Sequence, residues 1–184
     1  MKLFDIEGIK NKLKVFKKRS DDIYCASCGV RTGILTRESL LAGKCLCAVC
    51  QNRIPMLYRK KLNCYTIEEY TELVKYLKEE SKPLESVFVK SHRFSDLMLD
   101  VDHGILCYKH KNTPTIYFKL ENVVTFDLRF YGNPEKTGIA ELSLICSHPN
   151  IDAADTIDEC CTLDEMDDFL MNCRYAINKA RARA

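Results

Sequence analysis

The sequence predicts an α+β protein: a small four-cysteine zinc ribbon plus a small antiparallel β-sheet closed by a C-terminal helix. Three observations predict it. Two C-x-x-C pairs, Cys25/Cys28 and Cys47/Cys50, stand 18 residues apart in the front of the chain. From Phe94 onward, short runs of apolar and β-branched residues are separated by turn residues. The last clear pattern is a helical stripe behind a capping signal, Thr162 with Glu165.

The 184 residues suffice for one medium domain or two small ones, and their composition excludes wholesale disorder. The formal charge of +2 hides a split. Residues 1–62 carry 14 Lys/Arg against 5 Asp/Glu, whereas residues 63–184 carry 14 against 21. A basic front and an acidic rear suggest two modules, the front one suited to an acidic partner. The start of the chain interrupts every apolar pair with Asp, Glu, Lys or Asn, unlike an export signal, and no apolar run is long enough for a spanning helix. The expected compartment is therefore the reducing cytoplasm, where clustered cysteines read as metal ligands rather than disulfides.

The order of elements follows. Leu3, Ile6, Ile9, Leu13 and Phe16 recur at helical spacing among lysines, giving a basic amphipathic helix within residues 1–22. Its apolar face would pack on the protein, or alternatively on a membrane surface or a partner. Residues 23–62 form the ribbon, ending in a basic stretch where Pro55 starts a turn or short helix. In residues 63–92 a linking helix begins at Thr66, which forms a capping box with Glu69. Its stripe is Ile67, Tyr70, Leu73, Val74 and Leu77, and Pro83 is expected to stop it near Lys82. Residues 93–184 hold the sheet and closing helix. LMLDVDHGILCYKH reads as two strands about an Asp102-His103-Gly104 turn, and TIYFKL as a third. VVTFDLRFY alternates as a half-buried strand. IAELSLICS is the fifth, its apolar side assigned to Ile139, Leu142, Leu144 and Cys146. The final helix buries Leu163, Met166, Phe169, Leu170, Cys173 and Ile177.

The metal-ligand set is Cys25, Cys28, Cys47 and Cys50. Each C-x-x-C turn grips one ion from one side, and Gly29 lets the backbone amides turn toward the sulfurs. Four protein thiolates fill a tetrahedral Zn2+ site, so one zinc would be structural and closed, without the open position that catalysis requires. Cys45, two residues before Cys47, is the alternative ligand, though the C-x-x-C spacing favours Cys47. Cys64, Cys107, Cys146, Cys160, Cys161 and Cys173 fall on apolar faces or at element ends and read as core.

These motifs resemble a family of bacterial and phage proteins whose members open with a lysine-rich helix. The matching pieces are Cys25-Ala26-Ser27-Cys28-Gly29, then Ile34-Leu35 through Leu40-Leu41-Ala42-Gly43, then Leu46-Cys47-Ala48-Val49-Cys50 and the helix from Thr66 to Lys82. Downstream, LMLDVDHGILCY and Val123-Val124-Thr125-Phe126-Asp127-Leu128 are similar to strands of a pleckstrin-homology-like (PH-like) β domain. The ribbon match is specific, and the β match is diffuse. The resemblance implies metal binding and interaction, not a reaction. The short segment between Cys146 and the last helix departs from longer relatives, so an incomplete PH-like barrel is expected.

No catalytic residue is assigned. Asp100, Asp102 and His103 are the one convergence of carboxylates and histidine, but they lie where a hairpin turn is needed. His92, His110 and His148 have no partner at triad or ligand spacing, and no nucleotide-binding or hydrolase motif is present. The first functional expectation is a non-enzymatic zinc protein that binds another protein as an interaction module or adaptor. The second is nucleic-acid binding through Lys17, Lys18, Arg19, Arg31, Arg37, Lys44, Arg53, Arg59, Lys60 and Lys61, by phosphate contacts. The third is peripheral membrane binding through the N-terminal helix and the PH-like domain.

Overall fold

The computed structural model describes residues 23–33, 35–149 and 153–183. The amphipathic helix expected within residues 1–22, with Lys17, Lys18 and Arg19, lies outside the described residues. The ribbon contains strands β1 (Arg37–Ser39) and β2 (Cys45–Cys47), paired antiparallel, and a single turn of helix, α1 (Ala48–Gln51). A second short helix, α2 (Met56–Arg59), follows Pro55, whose fixed φ suits the residue that opens a helix.

The linking helix, α3 (Ile67–Tyr76), starts as its sequence dictates. The Thr66 hydroxyl accepts from the Glu69 amide, and the Glu69 carboxylate accepts from the Thr66 amide. It buries Tyr70, Leu73 and Tyr76, with Ile67, Val74 and Leu77 partly covered. The helical run ends at Leu84, two residues past the stop expected near Lys82. A π-helical stretch, Leu77–Ser81, leads directly into a further turn, α4 (Lys82–Leu84), with Pro83 inside it. Proline removes an amide and crowds the carbonyl four residues back, and the wider π turn accommodates that where an α-turn would not. The turn has a second consequence, since it buries Ser81 so that its Oγ accepts the Tyr117 amide at 2.8 Å.

Among the described residues, seven strands follow in two antiparallel meanders. The four-stranded sheet runs β3 (His92–Phe94), β4 (Leu97–Asp100), β5 (Ile105–Tyr108) and β6 (Ile116–Lys119). The three-stranded sheet runs β7 (Val123–Tyr131), β8 (Gly138–Cys146) and β9 (Ala153–Cys161). All four residues of β5 are buried because Leu84, Phe88 and Met98 cover Ile105, Cys107 and Tyr117 on the outer face. A strand covered on both sides reads as a continuous apolar run, as ILCY does.

Two strands were not expected from the sequence. β3 is only three residues long, and β9 crosses an acidic segment with little apolar alternation. The stretch after Cys146, expected to leave the β domain incomplete, thus supplies a strand paired to β8. Two face assignments also change. In β8 the core side is Ala140, Leu142, Leu144 and Cys146, while Ile139 is exposed, since 139 has the wrong parity for that face. In β7 both Val123 and Phe126 are buried, because a bulge between Val123 and Thr125 shifts the register by one residue.

Helix α5 (Leu163–Arg181) closes the fold from a second complete capping box, Thr162 with Glu165. Phe169 stacks on Phe94 of β3 and tilts against Phe126 of β7, joining the two sheets. One contiguous apolar cluster runs from Cys25, Leu46 and Cys50 through Leu57, Tyr58 and Leu73 to Leu106, Leu142 and Ile177.

Candidate metal centre

Two knuckles build the centre. In the first, the Gly29 amide donates to the Cys25 carbonyl and the Cys25 amide to the Val30 carbonyl, both at 2.8 Å. Closing a turn this tight requires positive φ at its end, and Gly29 supplies it at 71°. In the second, Cys47 ends β2 and caps α1, so that Cys50 follows one helical turn later. The knuckles are brought together by a bond from the Ala26 amide to the Cys45 carbonyl at 2.9 Å. Gln51 fixes the second knuckle to the β1 side, its Nε2 donating to the carbonyls of Thr36 and Leu46 at 3.1 Å each.

The thiols of Cys25, Cys28, Cys47 and Cys50 consequently lie within 4.8 Å of one another. Cys28 and Cys47 are 3.7 Å apart, sulfur to sulfur. A tetrahedron with metal–sulfur bonds of about 2.3 Å has sulfur–sulfur edges of about 3.8 Å, so the separation suits a tetrahedral thiolate site. Cys25, Cys47 and Cys50 are buried and Cys28 is exposed. Cys45 is buried outside this group, its thiol directed at the Tyr24 carbonyl at 3.7 Å. The cluster is thus formed with Cys47, not Cys45.

The electrostatics are uneven. Burial pushes the Cys25 thiol up, but backbone amides of Cys47, Cys28 and Ser27 outweigh it and bring the group down to about 6. Cys50 is pushed up to about 12, chiefly by burial and further by its hydrogen-bonded thiol neighbours. A divalent cation would reverse that second effect, since a coordinated thiol deprotonates outright. Outside the ligands, the buried Tyr70 hydroxyl donates to the Cys50 carbonyl at 2.9 Å, tying the second knuckle to α3. Nothing in the sequence spacing marks Tyr70 as part of the site, because the contact spans 20 residues.

The basic residues are distributed unequally. Arg31, Lys44, Arg53 and Lys60 are exposed, while Arg37 and Lys61 are half-buried. Arg59 is also half-buried and turns inward, its Nε donating to the Ile54 carbonyl at 3.1 Å. Exposed apolar side chains share this lobe: Tyr24, Val30, Leu35, Leu41 and Val49. Of the cysteines expected in the core, Cys107, Cys146 and Cys173 are buried, whereas Cys64 is exposed.

Asp100, Asp102 and His103 form the turn between β4 and β5. The buried Asp100 carboxylate accepts the amides of Val89, Asp102 and His103 at 2.6, 3.1 and 3.0 Å and meets His103 Nδ1 at 2.8 Å. Burial raises this carboxyl, but those donors outweigh it and hold it below the usual carboxylate range. Its lone pairs are committed to organising the backbone. His110 and His148 meet Asp96 and Glu80 at 2.6 and 2.7 Å, pairings across 14 and 68 residues that linear spacing does not reveal.

No family model matches the chain, and neither a curated protein nor a solved structure does. Among the described residues, no helix is long and apolar enough to cross a membrane.

Proposed function

We propose that this is a non-enzymatic zinc protein whose ribbon is structural and whose β domain serves as a protein-interaction module or adaptor. The observation that carries the reading is the closed set of four cysteine thiols. Zn2+ suits an all-thiolate tetrahedron, and a site with every position taken by protein has no place for substrate. The Asp100–His103 cluster supports the same reading, because its carboxylate is spent on backbone amides. The order of four strands, three strands and a helix accords with a PH-like domain, whose sheet edges and loops are open to partners. Origin in a bacterium or phage and residence in the cytoplasm belong to this proposal.

Elemental analysis of the purified chain should give about one zinc per molecule, and Cys25→Ser or Cys50→Ser should lose the metal and unfold the ribbon. A metal-free chain with unchanged thermal stability overturns the metal assignment. The interaction role predicts a stoichiometric protein partner recovered from the native host. A second reading, nucleic-acid binding, is favoured by the exposed Arg31, Lys44, Arg53 and Lys60 on the ribbon lobe. It predicts duplex or single-strand binding that weakens steeply with salt. Absence of retention at low salt removes it.

A further inference from the structure

β7 is an edge strand, bonded to β8 on one side only. On its other side, among the described residues, Arg181 engages the carbonyls of Val123 and Val124, and nothing engages Thr125–Tyr131. Such an edge is normally blunted by Pro, charged side chains, a bulge or a short length. β7 has nine residues, VVTFDLRFY, without Pro; its bulge is confined to the Val123–Thr125 end, beside Arg181, and its two charges, Asp127 and Arg129, are of opposite sign.

The sequence of this edge selects its partner. Set two copies antiparallel about Leu128 and Asp127 of each faces Arg129 of the other, Phe126 faces Phe130, and Thr125 faces Tyr131. Opposed charges meet twice, and the aromatic pair lies on the core side. A one-residue slip would place exposed-face residues opposite core-face ones and is excluded by the pleat. A two-residue slip in either direction sets Asp127 against Asp127 or Arg129 against Arg129. The twofold register is therefore fixed by charge. It also extends a pattern already present, since Arg129 faces Glu141 on β8 and bonds Asp127 of its own strand at 3.1 Å. Across the joined sheet the charges alternate in sign.

We propose that the chain forms a twofold homodimer through the edges of β7, joined in this register into one continuous sheet. The surface is distant in sequence from the cysteine cluster, and the inference does not depend on the metal reading.

The test is charge exchange in the full chain. By light scattering at micromolar concentration the wild type should be a dimer. Asp127→Arg alone sets Arg against Arg twice, and Arg129→Asp alone sets Asp against Asp twice. Each should weaken dimerisation on the order of tenfold or more. Mixed in equal amounts, the two variants are complementary at both positions and should form a heterodimer. Circular dichroism checks that each is folded, and Asp127→Arg alone decides the point if Arg129→Asp is not. A monomeric wild type overturns the proposal. So do single variants that dimerise as well as wild type, or a mixture that stays monomeric.

Discussion

Replacing Tyr70 by Phe removes one hydroxyl from a fully buried position and leaves the ring packing intact. The hydroxyl donates to the carbonyl of Cys50, a ligand residue, at 2.9 Å. That carbonyl keeps the Arg53 amide at 3.1 Å, so it is not orphaned, and the net cost should be near that of an ordinary hydrogen bond, about 1 kcal/mol. For a chain of this size the melting temperature should fall by about 2–4 °C. Metal affinity should fall as well, by about tenfold, the low end for an outer partner of a ligand residue. Tyr76→Phe is the control. Its hydroxyl donates to the Tyr117 carbonyl at 3.0 Å, the same bond made far from the cysteines. It should cost about the same stability with no change in metal affinity. Urea unfolding measures the first quantity, and competition with a chromophoric chelator measures the second. Equal loss of metal affinity in both variants, or none in Tyr70→Phe, refutes the reasoning.

Other outcomes follow from the same geometry. Cys47→Ser should abolish stoichiometric metal in elemental analysis, whereas Cys45→Ser should retain it, since Cys45 bonds the Tyr24 carbonyl outside the cluster. Asp100 is held below its ordinary range in the folded chain, so its stabilising contribution is present above the unfolded-state carboxylate value and lost as pH falls through the folded one. Urea titrations from neutral pH to about pH 3 should show this acid loss in wild type and a smaller one in Asp100→Asn, which starts about 1–3 kcal/mol less stable. Gly138→Ala would place a Cβ 2.5 Å from Phe130 and 2.6 Å from the Tyr131 carbonyl oxygen. The second contact is backbone and cannot swing aside, so thermal unfolding should report a loss of about 1–3 kcal/mol.

The parts of this fold that were legible in the sequence are those governed by local chemistry. Both capping boxes form as their Thr-x-x-Glu spacing requires, and each C-x-x-C turn is a short local structure whose four thiols meet once the Ala26 amide bonds the Cys45 carbonyl. The parts that were not legible depend on distant chain. β9 is acidic and becomes a strand because β8 offers it an edge. The Val124 bulge cannot be read from alternation, which places Val123 and Phe126 on opposite faces although both are buried. The π-helical stretch before Pro83 is not readable locally, since it is held against the sheet through Tyr76 and Ser81. Tyr70 reaches the metal centre only because α3 lies against the second knuckle, a placement no spacing rule encodes.

The metal centre and the core are energetically linked through a few named groups. Leu46 and Cys50 are fully buried members of the apolar cluster that continues into the sheets. The Leu41 amide donates to the Tyr65 carbonyl at 2.9 Å, and Tyr70 bonds Cys50, so the ribbon is joined to the start of α3 twice. Without an ion, the thiols of Cys28, Cys25 and Cys47 add to burial in raising the cost of ionising Cys50. Opening the knuckles would relieve that cost but would also withdraw Leu46 and Cys50 from the core. An ion that binds only the closed arrangement removes the reason to open, and by mass action its binding free energy adds to the stability of everything the closed arrangement supports. Chelation should therefore lower the unfolding midpoint reported by the tyrosines of the sheets as well as by the ribbon, in one shared transition.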